Sequence, residues 1–436
     1  MSYPAGSDAR CKWTRYVYDC GTDRRRRHLN MAMGDKNMTS VKAATLVAPR
    51  QIEIRDYPLP TDLEPGAVLL RMIASGICGT DKHTFRGETV QYAGTEMERT
   101  TPFPIIQGHE NLGVVEAVGP GGAIAHDGTS LDVGDRVVPA PNRACGICRN
   151  CQRGFPYYLC RNLENYGNSL TCAEAPHLFG GFSEFLYLRP RTAIFRVPPD
   201  LPSEIAVLTE IFAVTHSLER AAAIRQPGGF LPGDTVAVVG VGSLGMAHLV
   251  KAALMGAGRV IAVDKSAKRL ALAHRLVSAD TVAVGKSIDG TDSGVLAQLL
   301  DLNDGEGADV VVNATGFPGS FALAASMVRD AGTIVEVGAF VDMGPEEFNP
   351  AVVCGRSLNV MGIGGEDLQA YAGTLSLLAR HRDAIPFAEM VSHTFRVADA
   401  ALALETALDA DNATKVLISN VLGPTRIDGA RLHRPD

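Results

Sequence analysis

No apolar run in this 436-residue chain reaches the ~18 residues of a membrane-crossing helix, so a transmembrane protein is not expected. Positive charge is in deficit too. Lys and Arg number 41 against 48 Asp and Glu, the net charge is −7, and no basic stripe marks the body of the chain. That excludes nucleic acid as an expected partner. There is one tryptophan, Trp13, and it lies in an N-terminal stretch without periodic apolar pattern. No self-similarity recurs at a period of about 20–50 residues, which excludes a solenoid. Cysteines number nine, five of them spaced like metal ligands, so they read as reduced thiols of a cytoplasmic protein rather than a disulfide framework. With 46% hydrophobic and 20% charged residues, the chain suits a globular protein with two cores.

Cys145, Cys148, Cys151 and Cys160 stand in CGICRNCQRGFPYYLC. Two Cys-x-x-Cys steps sharing a middle cysteine, closed by a fourth, wrap a tetrahedral Zn²⁺ in all-sulfur ligation. Such a site has no open position and is structural. Upstream come Gly76-Ile77-Cys78-Gly79-Thr80-Asp81-Lys82-His83 and Gly108-His109-Glu110-Asn111. A thiolate, an imidazole and a later carboxylate make a three-ligand zinc site with its fourth position open to substrate. Cys172 and Cys354 are expected to be buried apolar residues.

Further along, Val236–Val239 runs into Gly240-Val241-Gly242-Ser243-Leu244-Gly245, followed by an amphipathic Leu/Ala stretch. Strand, tight turn and helix in that order bring backbone to a pyrophosphate at a helix N-terminus. The next apolar run ends in Asp264, suitably spaced for the adenosine ribose hydroxyls and repulsive to a 2′-phosphate, so NAD is expected over NADP. Arg269, five residues on, suits a ribose or phosphate contact or a solvated helix face.

Short runs broken by Gly, Pro and Asp fill Val41 to about Glu204, the pattern of a β-rich, barrel-like domain. From about Phe212 to Gly365 six apolar strands alternate with helices: Thr235–Val239, Val260–Val263, Thr281–Val284, Val310–Ala314, Thr333–Val337 and Leu358–Ile363. These predict an α/β doubly wound parallel sheet. Its strand ends would bring Thr315, Val337 and Gly338 to the cofactor. Residues 1–40, with Cys11, Cys20 and Arg24–Arg27, read as a disordered extension, and 423–436 as a polar tail. The stretch GETVQYAGTEMERTTPF, 87–103, either shapes a substrate pocket or is a tolerated surface insertion.

In motif order, from about Val41 to Asn420, the chain resembles the zinc-dependent medium-chain dehydrogenases. It is most similar to their polyol and threonine dehydrogenase branch, through Glu210 in Leu208-Thr209-Glu210-Ile211-Phe212-Ala213. It departs from that pattern by Ile211 where Pro is usual, by one extra residue between Cys151 and Cys160, and by a longer connection from Cys78 to His109. The resemblance implies a GroES-like catalytic domain over 41–212, rejoined by 366–422, and an NAD-binding domain over 213–365. It implies Cys78, His109 and Glu210 as catalytic-zinc ligands, with Glu110 an outer neighbour or exchanging ligand and Asp81 an acceptor for His109. It implies a proton relay from Thr80 through the nicotinamide ribose to His83; alternatively Thr80 caps a helix starting at Asp81. Lys415 carries mostly structural meaning in such proteins. Two zinc ions, NAD, a small alcohol substrate and a homo-oligomer, dimer or tetramer, complete the expectation. The competing readings are a zinc-free NADPH quinone or enone reductase and an inactive cofactor-binding protein.

Overall fold

The computed structural model describes residues 39–285 and 293–423. The expectations for residues 1–38 and for the tail beyond Gly423 lie outside them.

Strands whose side chains are buried on both faces need cover on both sides, which helical crossovers supply. That holds for the central strands of a six-stranded sheet made of β1 (Thr235–Val239), β2 (Arg259–Asp264), β3 (Asp280–Ala283), β4 (Ala308–Asn313), β5 (Val328–Glu336) and β6 (Asn359–Gly362), whose edge strands β3 and β6 are more exposed. All five pairings are parallel, and the spatial order is β3-β2-β1-β4-β5-β6. Chain order reverses between β1 and β4. In open sheets of this kind such a reversal is where ligands bind, at the strands' C-terminal ends; Gly240 follows β1 there and Ala314 follows β4. Helices Ser243–Leu254, Ala267–Val277 and Ser320–Met327 fall where the sequence predicts them. β5 starts well before the expected Thr333, passing through Ala331 at φ +57°.

The remaining chain is β-rich. Its largest sheet has seven strands, with Ile194–Arg196, Arg136–Pro139, Glu110–Val118, Val68–Gly76, Lys415–Ile418 and Val391–Phe395 as neighbours in that order. Phe185–Leu188 also pairs with Val68–Gly76. Thus strands near the C-terminus enter the sheet that holds the Cys78 and His109 segments. Register does the placing: Gly76 pairs with Glu110, and Leu417 pairs with Gly76. A Cβ on Gly76 would stand 2.0 Å from Glu110 Oε2, so a side chain there would displace the Glu110 carboxylate from its place beside the strand.

Two details differ from expectation or resolve it. Cys354 is exposed, because the short helix Ala351–Gly355 buries none of its residues. Cys172 is buried and accepts a hydrogen bond from the Tyr57 hydroxyl. Among the described residues no helix is long and apolar enough to cross a membrane.

Candidate active site

Cys78 is the N-cap of helix Gly79–Arg86. The helix starts before Asp81, so Thr80 lies in its first turn and is not the cap. Asp81 ties together the two segments expected to hold metal. Its Oδ2 accepts from the Cys78 amide at 2.8 Å and its Oδ1 from the Gly108 amide at 3.3 Å. The expected Asp81–His109 bond is looser, with Oδ1 and Nδ1 3.6 Å apart, and Nδ1 is buried without a hydrogen-bond partner. Burial opposes a charged His109. Asp81 and then Cys78 outweigh it and hold the imidazole well above its ordinary value.

Glu110 is committed elsewhere. Lys415 Nζ lies 2.6 Å from both its oxygens and 3.2 Å from the Ile77 carbonyl, with lysine and glutamate side chains 1% and 0% exposed. Glu210 sits on Thr209–Ala213, a helix buried throughout. Its carboxyl is pushed well up by burial, then by the nearby charges of Glu366 and Glu110. Glu366 is itself buried, and its Oε1 accepts from Asn142 Nδ2 at 3.0 Å and from the Tyr157 hydroxyl. Burial and Glu366 raise the Tyr157 phenol in turn. Sequence reasoning missed Glu366, Tyr157 and the strength of the Lys415 contact. Lys82 was missed as well: half-buried, its ammonium is lowered to about 8 by burial and by Arg269.

A thiol, an imidazole and a carboxylate are zinc donors. With Lys415 taken by Glu110, a cation beside Glu210 would offset the burial and the carboxylate repulsion that push its carboxyl up. The residues therefore fit the metal, although Cys78, His109 and Glu210 are not drawn as tight as the cysteine lobe. The Sγ atoms of Cys145, Cys148, Cys151 and Cys160 all lie within 4.8 Å of one another. Cys148 stands 3.5 Å from Cys151 and 3.9 Å from Cys160. Zn–S bonds of about 2.3 Å give a tetrahedral edge of about 3.8 Å, so the lobe already has zinc's dimensions. Cys148 is lowered to about 6 by the amides of Cys151 and Arg161, which favours the thiolate a metal needs.

His83 has a partner the sequence did not reveal. Its Nδ1 is 2.5 Å from Glu88 Oε2, with Arg86 bridging both. Burial lowers its pKa against the pull of Glu88.

The glycine turn fits a dinucleotide. A Cβ on Gly245 would strike the Gly240 carbonyl at 2.0 Å, which requires close helix–strand packing. At Gly242, by contrast, the nearest atom to an added Cβ is Arg269 Nη1 at 3.7 Å. Gly242 caps Ser243–Leu254 with no side-chain bond, which leaves first-turn amides for an anion. Ser243 Oγ donates to the Thr414 carbonyl, and Leu244 packs against the main core. Asp264 accepts from the Val241 and Ser266 amides, both at 2.8 Å. Arg269 donates to the Ala413 carbonyl, lies 4.0 Å from Asp264, and keeps Nε buried without a partner. Across the reversal in chain order Thr315 leans on Asn313, Val337 is buried, and the Gly338 amide donates to Glu336.

Comparison with known proteins agrees. Residues 64–199 match the family Alcohol dehydrogenase GroES-like domain, and residues 240–380 match Zinc-binding dehydrogenase. A Mycobacterium tuberculosis protein named "probable alcohol dehydrogenase" is 35% identical over 82% of this chain and 91% of its own length. L-threonine 3-dehydrogenase of Pyrococcus furiosus is 30% identical over 79% of this chain and 88% of its own. Among solved structures, an alcohol dehydrogenase from Thermotoga maritima superposes with a TM-score of 0.75 at 27% identity, covering 87% of this chain and 99% of that one.

Proposed function

The chain belongs to the zinc-dependent medium-chain dehydrogenases, and from that premise we propose that it transfers hydride between NAD and a secondary alcohol, polyol or hydroxy-amino acid. The observation that supports this reading is the Gly76–Glu110 register: Cys78 follows one central strand and His109 precedes its neighbour at the same end of the sheet, and buried Glu210 feels the charge of both. In this proposal Cys78, His109 and Glu210 hold a catalytic zinc and the four lobe cysteines a structural one. Residues 41–212 with 366–422 form the catalytic domain, and 213–365 bind the cofactor. A small alcohol is the substrate of a cytoplasmic homo-oligomer.

Bound zinc supplies Lewis acidity that lowers the pKa of a hydroxyl, and NAD supplies the hydride acceptor. The chain's own residues do the rest. Thr80 Oγ accepts the substrate hydroxyl's proton and has one of its own to pass outward. His83, neutral near pH 7 because burial lowers it, receives that proton at the outer end beside Glu88. Asp81 fixes the Cys78 and Gly108 backbones, and Lys415 keeps the Glu110 carboxylate off the substrate position. Gly240, Gly242 and Gly245 admit the pyrophosphate, while Asp264 and Arg269 take the adenosine ribose. A panel of alcohols, polyols, cyclitols and L-threonine, read by NADH absorbance, tests the reading. Failure of every substrate by zinc-replete protein sinks it.

Three measurements test single residues. Glu210→Ala should strip zinc from the catalytic site, whereas Glu110→Gln, which keeps an acceptor for buried Lys415, should keep that zinc; equal zinc retention removes Glu210 from the ligand set. Asp264→Ser with Lys265→Arg should move preference toward NADP, since the repelling carboxylate goes and a phosphate partner arrives. Equal wild-type kcat/KM for NAD and NADP contradicts the role of Asp264. His83→Ala should slow alcohol oxidation about tenfold to a hundredfold, most severely below about pH 8, where hydroxide is too scarce to replace the relay. Added imidazole should restore part of the rate; an unchanged pH–rate profile removes His83 from the path.

A further inference from the structure

The insertion at 87–103 is not a loose surface loop. Val90–Gln91 pairs with Arg99–Thr100 in a short hairpin whose base is locked inside: buried Gln91 bonds Thr101 and Asn168. The outer strand then reaches the nucleotide domain. Gln91 makes an antiparallel bridge to Val341, and the Asp342 amide donates to the Val90 carbonyl at 3.3 Å. Tyr92 is the centre of the contact. Its ring meets Phe340 edge-on at 5.1 Å, with Arg99 5.1 Å over it, and its hydroxyl donates to the Tyr158 carbonyl of the cysteine lobe at 3.2 Å. Arg99 and the Arg161–Glu96 ion pair add two more ties to that lobe. Tyr92 adopts φ +53°, a left-handed conformation unfavourable for a bulky side chain, so its surroundings hold it there.

Phe340–Asp342 directly follows Val337-Gly338-Ala339, where the amides of Gly338 and Ala339 are already fixed by Glu336 at 3.0 and 3.1 Å. We infer that the hairpin is a clasp holding this cofactor-side segment against the cysteine lobe, with Tyr92 the positioning residue that slows departure of the reduced dinucleotide. The inference rests on the proposed cofactor site at Val337 and Gly338. Tyr92 acts through its ring contact with Phe340. In this inference, any parting of the segment at Phe340–Asp342 from the cysteine lobe breaks the Tyr92–Phe340 and Gln91–Val341 contacts.

The test is NADH dissociation from the full-length, zinc-replete protein, followed by the loss of NADH fluorescence on displacement with excess NAD. Tyr92→Gly removes the ring and relieves the left-handed backbone, so the hairpin turn itself survives. Tyr92→Phe keeps the ring on Phe340 and loses only the hydroxyl. We expect release about tenfold faster for Tyr92→Gly and a few-fold faster for Tyr92→Phe, with KM for NAD rising in step and zinc content unchanged. NADH release at the wild-type rate in Tyr92→Gly overturns the clasp while leaving the cofactor reading intact. Wild-type protein that binds no NADH overturns that reading and the clasp with it.

Discussion

Lys415→Met should lower unfolding stability by about 3–5 kcal/mol, because it strands a buried charge instead of removing a surface one. Glu110 has no exposure through which water could replace the lysine. The double variant Lys415→Met, Glu110→Gln should recover most of the loss, as a buried neutral pair needs no counter-ion. Denaturant melts of the three proteins check this; a single-variant loss below about 1 kcal/mol would mean the pair is incidental. The pH dependence has a definite sign. Burial opposes the ammonium, but Glu110 and then Cys78 outweigh it and raise Lys415 above its ordinary 10.5. A group raised on folding contributes fully below its unfolded value. The Lys415 contribution is therefore intact at neutral pH and is lost only as pH climbs beyond 10.5 toward the folded value.

On the proposed two-zinc reading, Cys151→Ser should lower zinc from two ions per chain to one and should end activity, even though the lobe is assigned no substrate contact. Structural zinc sites bind with an apparent ~10–16 kcal/mol in isolated peptides, so losing a ligand loosens what the metal folds. The consequence reaches the site through Tyr157, which follows Cys151 by a few residues and donates to Glu366. Limited proteolysis should cut first between 145 and 160. Full activity with one zinc per chain would show that the lobe and the site are independent.

The sequence made local features legible because their physics is local. The glycine turn, the spacing of the lobe cysteines and the apolar runs of β1 to β6 each need only neighbours in the chain. Glu366 and Tyr157 were not legible, since nothing within a few residues of either announces a carboxylate–phenol contact spanning 209 positions. Lys415 was noticed and undervalued, because its meaning depends on the strand register Leu417–Gly76. The 87–103 insertion was noticed with its role left open. Its hairpin pairs too few residues to leave an alternating pattern, and its significance lies in partners at 158, 168 and 340. Cys354 failed for a simpler reason: an apolar-looking stretch was assumed to be inside, and it formed a one-turn surface helix.

The Glu110–Lys415 contact also sets a timetable for biosynthesis. The two residues are 305 positions apart, and ribosomes add about 5–20 residues per second, so Glu110 waits roughly 15–60 s for its partner. During that interval the Ser75–Gly76 end of the strand, beyond its pairing with Phe185–Leu188, also lacks its Lys415–Ile418 neighbour and stays unpaired on that side. The nucleotide-binding sheet, complete by Gly362, can close while the first domain is still unfinished. Slow translation or release of a chain cut short before 415 should therefore favour aggregation through the unfinished sheet, and overproduction should be most forgiving where holding chaperones are abundant.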